Sequence, residues 1–226
     1  MNFDYLLNIT ILINLIKKFL RSFAECWNDN SGSLFPKSEP DYVKYMNLKI
    51  NNTVKSISRN DLPSDFCKKA CREIDIFRRK TADEHDEWMV YIDIETGEVL
   101  DYFKGMGGEL IGQIIESRYN DRKIVAIHNH PKGYLSPPSY DNFGILKFAF
   151  QDYEIICSED VFWVLEAKGI ASEKQINMVK KNVKLLYDIS IDYSSDDSSL
   201  NRMYGDNLLK YLNNNNDINL IKKEYK

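Results

Sequence analysis

Histidine and cysteine are both scarce in this chain, and each scarcity excludes something. There are three histidines and four cysteines in 226 residues. The cysteines, Cys26, Cys67, Cys71 and Cys157, form no CxxC pair, so neither a zinc ribbon nor a thioredoxin-type redox site is available. Cys67 and Cys71 can share one helix face and read as small buried residues of a reducing cytosol. A long apolar run is missing too. Tyr5–Ile16 is mostly apolar, but Lys17 and Lys18 end it, and a spanning helix needs roughly 20 residues. Asp4 precedes the run, while Lys17, Lys18 and Arg21 follow it, the reverse of a secretory signal. A cytoplasmic protein without a transmembrane segment is expected. Nor is there an excess of basic charge. Thirty Lys+Arg against thirty-four Asp+Glu give a net charge of −4, which argues against a protein that coats nucleic acid and leaves room only for a local basic patch.

What is present suits a packed globular chain: 43% apolar and 28% charged residues, outside the range of global disorder. Residues 1–26 read as an amphipathic helix, with Leu6, Ile13, Ile16 and Leu20 opposite Thr10, Asn14, Lys17, Lys18 and Arg21. Such a helix docks on this protein or on a partner, with shallow membrane association as the alternative. Residues 27–81 read as a linker rich in Asn, Ser, Gly and Pro (28–40) followed by a helical extension. Within it, Tyr42–Ile57 suggests a hairpin around Asn51-Asn52, and Ser64 a cap for a helix to Arg79 with Phe66, Ala70, Ile74 and Phe77 inward.

The stretch 82–170 carries the strongest pattern. Trp88–Ile94 and Glu98–Phe103 flank a Glu95-Thr96-Gly97 turn and read as a hairpin. Lys104–Gly108 is glycine-rich but lacks the spacing of a phosphate-binding loop. Glu109–Tyr119 has helical spacing, Lys123–Ile127 is a buried strand, and a helix is expected from Ser139 to Phe148. Tyr153–Cys157 and Val161–Glu166 are two further strands. Residues 171–226 read as a helical extension: a capping box at Ser172 and Gln175 opens one helix, Ser198–Leu212 forms another, and the Lys-rich tail is a solvated end. The expected fold is α/β in the broad α+β sense, a mixed β-sheet flanked by helices, with helical extensions at both ends.

Two of the three histidines stand in one stretch, His128-Asn129-His130-Pro131. On a strand, residues i and i+2 face the same side, so both imidazoles can address one point while Asn129 turns away. Asp141, at the expected start of the next helix, can reach back towards them. Two imidazoles and a carboxylate suit a divalent zinc ion with one position open for water. A nearby carboxylate must then accept the proton of that water and pass it to the leaving amine. Glu87, just before the strand Trp88–Ile94, is the candidate; Glu84, Glu109 and Glu116 are the rivals. The plainer alternative is that both histidines merely close a strand.

The pattern resembles the JAMM signature of the MPN (JAB) zinc metalloproteases: an upstream Glu, then H-x-H, seven residues, Ser, two residues and Asp. Here Glu87 stands at the head of the strand segment, and Asp141 falls thirteen residues after His128. The HNHP form is similar to bacterial members, including RadC-like proteins. The resemblance spans roughly residues 82–170. It implies an MPN/JAB-like sheet, zinc held by His128, His130 and Asp141, Glu87 as general base and then acid, and hydrolysis of peptide or isopeptide bonds, with a ubiquitin-like protein as one class of substrate. The family's serine, which steadies the oxyanion, should fall at 138, where this chain has Pro138. Ser139 next door, or Ser136, is then the candidate donor, and Ser139 is equally suited to cap the following helix. Pro138 also favours a second reading, a catalytically weak or inactive MPN-like scaffold, and the resemblance to RadC-like proteins implies a third, an accessory to DNA processing. The acidic composition argues against a nucleic-acid partner.

Overall fold

The computed structural model describes residues 40–105, 121–147, 151–169, 171–214 and 218–226. Pro40–Lys226 form one compact unit. The expected helices over 1–26 and 109–119 and most of the glycine-rich loop lie outside the described residues.

The architecture is a six-stranded mixed sheet with helices on both faces. In chain order the elements are α1 (Asp41–Asn47), a short 3-10 turn (Arg59–Asp61), α2 (Lys68–Thr81), β1 (Trp88–Asp93), β2 (Val99–Lys104), β3 (Ile124–Asn129), a 3-10 segment (Tyr140–Lys147), β4 (Gln151–Cys157), β5 (Val161–Ala167), α3 (Glu173–Tyr193), α4 (Asp197–Asn213) and β6 (Ile218–Glu224). The strand order is β2-β1-β3-β4-β5-β6. Only β3 and β4 run parallel; every other neighbouring pair is antiparallel.

Period-two alternation divides the core between the faces. Val90, Ile92, Val125, Ile127 and Ile155 pack with Phe66, Ile74 and Phe77 beneath α2. On the other face Ile156, Trp163 and Leu165 pack with Val179 and Val183 of α3 and Tyr204, Leu208 and Leu212 of α4. The Glu95–Gly97 turn is pressed against the start of α2. Gly97 has φ +68°, and a Cβ there would come within 2.6 Å of the Ala70 backbone nitrogen. Only glycine combines that conformation with that approach.

Several elements differ from the sequence reading. Tyr42–Ile57 is not a hairpin: Asp41–Asn47 is the helix α1 and the rest is irregular. Its Tyr45 ring stacks on Phe77, with centroids 6.1 Å apart, and tertiary packing overrides the weak strand pattern. Helix α2 begins after Cys67, whose sulfur accepts from Ala70 N–H, one turn later than a Ser64 cap would place it. The segment after Ser139 is 3-10 in form rather than an α-helix. The Lys-rich tail contains β6, an edge strand of the sheet that buries Ile218 and Leu220. The capping boxes of α3 (Ser172 with Gln175) and α4 (Asp196 with Ser199) are both formed.

Candidate metal centre

Strand register brings the polar residues together. Met89 pairs with His128 across β1–β3, so Glu87, two residues earlier, points to the same face as His128. Across β3–β4, His128 pairs with Ile156 and Ala126 with Glu154, which places Glu154 on that face as well. Glu87, His128 and Glu154 are all buried. Burying three ionisable groups in one place is costly unless they serve one another or a ligand.

The ligand atoms of Glu87, His128 and His130 lie within 4.8 Å of one another. The two imidazole Nε2 atoms are 3.2 Å apart. Two nitrogens bound tetrahedrally to one zinc at about 2.0–2.1 Å would be separated by about 3.3 Å, so the spacing fits a shared ion. Glu87 Oε1 is 3.6 Å from His128 Nε2, slightly farther than a tetrahedral edge. That suits a carboxylate facing a water at the centre.

The outward-facing nitrogens have their own partners. His130 Nδ1 donates to the Leu135 carbonyl, which leaves Nε2 as the lone-pair side of the neutral ring. His130 N–H donates to Cys157 O at 2.8 Å, extending the β3–β4 ladder past His128. His128 Nδ1 stands 3.3 Å from Glu154 Oε1 but is not aligned for a hydrogen bond. Burial pulls the His128 pKa down, and the carboxylates of Glu154 and Glu87 outweigh it, holding it above the usual imidazole value. Burial, and then His128, push His130 well below. For Glu87, burial raises the carboxyl, His128 opposes and Glu154 adds to the rise.

Asp141 is not brought to this point. Its side chain is 70% exposed and stands 3.7 Å from Lys180 Nζ. Asn142 takes the inward position: its Nδ2 donates to Glu154 Oε1 at 3.1 Å and lies 3.4 Å from His128 Nε2. Its Oδ1 accepts from the Ser139 N–H at 2.7 Å and from Ser139 Oγ at 3.2 Å. Ser139 Oγ in turn accepts from Asp141 N–H, so Ser139 caps the 3-10 segment and reaches the histidines only through Asn142. Ser136 is a loop anchor. Its N–H donates to Asn201 Oδ1, its carbonyl accepts from Ser158 Oγ, and its hydroxyl accepts from Trp163 Nε1. Tyr204 Oη donates to Pro138 O at 2.7 Å, so α4 holds the loop that follows the histidines.

Among the rivals for the base, Glu84 accepts from Trp88 Nε1 at 3.3 Å, and Glu109 and Glu116 lie outside the described residues. His85 is exposed. Two residues missed by the sequence reading matter here. Asn129 accepts from Trp88 N–H and donates to Asp86 O, holding the backbone on both sides of Glu87. Glu154 stands behind His128. A polar residue buried inside an otherwise apolar strand was the available signal for each. No family model, curated protein or solved structure matches this chain.

Proposed function

We propose that this protein is a zinc-dependent hydrolase of peptide or isopeptide bonds, with His128 and His130 holding the ion and Glu87 moving the proton. The observation that carries the reading is the convergence of two buried-side Nε2 atoms, 3.2 Å apart, with a carboxylate 3.6 Å from one of them. The resemblance of Glu87, His128-Asn129-His130 and the following serine-containing loop to the JAMM pattern supports the bond class. A bound zinc ion polarises a carbonyl and lowers the pKa of its water from ~15.7 to ~7.

The chain's own residues do the rest. Leu135 O fixes the ring of His130, and β3 fixes that of His128. Glu87, raised by burial, is suited to accept a proton from the attacking water and to return it to the leaving amine, because a carboxyl tuned towards neutrality works in both directions. Asn129 keeps Glu87 in place.

One observation favours a second reading, a scaffold that binds metal with little turnover. The anionic position expected at Asp141 is taken by the neutral Asn142, and Ser139 is engaged in capping. Metal analysis of the purified full chain, followed by cleavage assays on peptide and isopeptide-linked ubiquitin-like substrates, separates the two. Stoichiometric zinc with cleavage that Glu87→Gln removes supports the hydrolase. Zinc without any cleavage supports the scaffold, and no zinc overturns both.

A further inference from the structure

We infer that Glu154 is the positioning carboxylate of this centre: it stands behind His128 and supplies the negative charge that Asp141 does not bring. The inference rests on the metal-centre reading above.

Three observations carry it. First, Glu154 is 4% exposed, and the ion pair it makes is with His128, Oε1 to Nδ1 at 3.3 Å. An isolated carboxylate at that depth is strongly unfavourable, so its charge needs a cationic counterpart at or through that ring. Second, the two nitrogens of His128 divide their directions. Nε2 looks to His130 and Glu87, and Nδ1, a buried atom without an aligned hydrogen bond, looks to Glu154. Ligating histidines characteristically give their second N–H to a carboxylate or carbonyl, which fixes the ring and makes it a stronger donor. His130 has that arrangement through Leu135 O; for His128 the carboxylate in the corresponding place is Glu154, 3.3 Å from Nδ1, a distance that a small turn of the ring converts to a hydrogen bond. Third, Asn142 ties the carboxylate to the site loop, donating to Glu154 Oε1 while accepting from Ser139. The frame Ser-x-x-Asp is thereby moved on by one residue, to Ser139-x-x-Asn142. The inward residue becomes neutral and the acid moves to the neighbouring strand.

The test compares zinc affinity by competition titration for the full-length wild type, Glu154→Gln and Asp141→Asn at pH 8, with thermal melting of each metal-free protein. Glu154→Gln is expected to weaken zinc about 10–100-fold while leaving metal-free melting unchanged or higher, because a buried charge has been neutralised. A merely structural role would lower both. Asp141→Asn is expected to stay within about 3-fold of wild type, as its carboxylate faces solvent. Replacing zinc by cobalt(II) gives a second readout: Glu154→Gln shifts the visible absorption of the site and Asp141→Asn does not. If Glu154→Gln fails to fold, Glu154→Asp takes its place, with a loss of roughly 3–10-fold expected because its carboxylate stops one methylene short. Unchanged affinity in the Glu154 variants, or loss of zinc in Asp141→Asn, overturns the inference while leaving the metal centre standing. A wild type that takes up no zinc overturns the centre itself.

Discussion

The side chain of Asn129 accepts a hydrogen bond from the backbone N–H of Trp88 at 2.7 Å. It also donates to Asp86 O at 3.2 Å, so a single amide brackets Glu87 from both sides. Asn129→Ala leaves the Trp88 N–H buried without its acceptor. Such a loss costs about 1–3 kcal/mol, to be read in urea unfolding. It should also lower turnover more than zinc affinity, because Glu87 loses its position while the histidines keep theirs.

His128→Ala and His130→Ala should each abolish stoichiometric zinc, measured by elemental analysis after gel filtration. In the wild type, free zinc at 100 times its Kd should stabilise the fold by about 2.7 kcal/mol, and a strong chelator should reverse the shift. Melting temperatures unaffected by zinc and by chelator would contradict a metal centre.

Glu87→Gln keeps the size of the side chain and removes its ability to take a proton. Zinc affinity should change little, and hydrolysis should fall about 10²–10⁴-fold, the usual contribution of a positioned base. Loss of zinc in parallel with activity would instead make Glu87 a ligand.

The metal-free and metal-bound forms should diverge as pH rises. His128 is held above its ordinary value when folded, so its contribution to stability is complete below about pH 6.5 and is lost as pH rises through the folded pKa. Glu87, also raised, contributes in the same sense, its share being complete below the ordinary carboxyl range. His130, held well below its ordinary value, acts in the opposite sense, but its effect is nearly complete by about pH 7, so metal-free melting temperatures should fall between about pH 7 and 8. Zinc competes with protons for the imidazoles, so its stabilising shift should grow over that window. Parallel curves with and without zinc would disprove the coupling.

Gly97→Ala tests the packing beneath the β1–β2 hairpin. The backbone there is left-handed, and the new methyl would sit 2.6 Å from Ala70 N. A loss of about 1–3 kcal/mol is expected, measured by thermal unfolding, with zinc stoichiometry retained because the turn is at the other end of β1 from Glu87.

The central strands and the pair His128/His130 were legible because alternation along a strand is a local property. Glu87 was legible by its place at the head of β1. The expected place of Asp141 beside the histidines rested on its spacing from His128 and on an α-helix starting near Ser139, and its side chain faces solvent instead. The segment is 3-10, with about 3.0 rather than 3.6 residues per turn, and it follows a loop tied at Pro138 O to Tyr204. That geometry turns 141 outward and 142 inward. Glu154 stood out in the sequence only as an acid within an apolar strand; its place behind His128 comes from the parallel β3–β4 register, a relationship between strands that no single strand encodes. The strand β6 was missed because Ile218 and Leu220 are its only buried aliphatic residues, too few to register against Lys222, Lys223 and Lys226. The helix proposed for residues 1–26 lies outside the described residues, and no helix among those described is long and apolar enough to cross a membrane.

The parallel pairing of β3 with β4 also bears on the order of events in folding. Trp88 and Asn129 are 41 residues apart in sequence, and β4 joins β3 only through the long crossover that contains the 3-10 segment. Contacts of such separation form slowly, after loop closure has been overcome. Glu87 therefore meets the two histidines, which are only two residues apart, once β1 has paired with β3, so a metal ion held by the histidines would face its proton acceptor only in the assembled sheet. Which ion such a site would hold in the cell would then depend on which divalent metal is available to the folded protein.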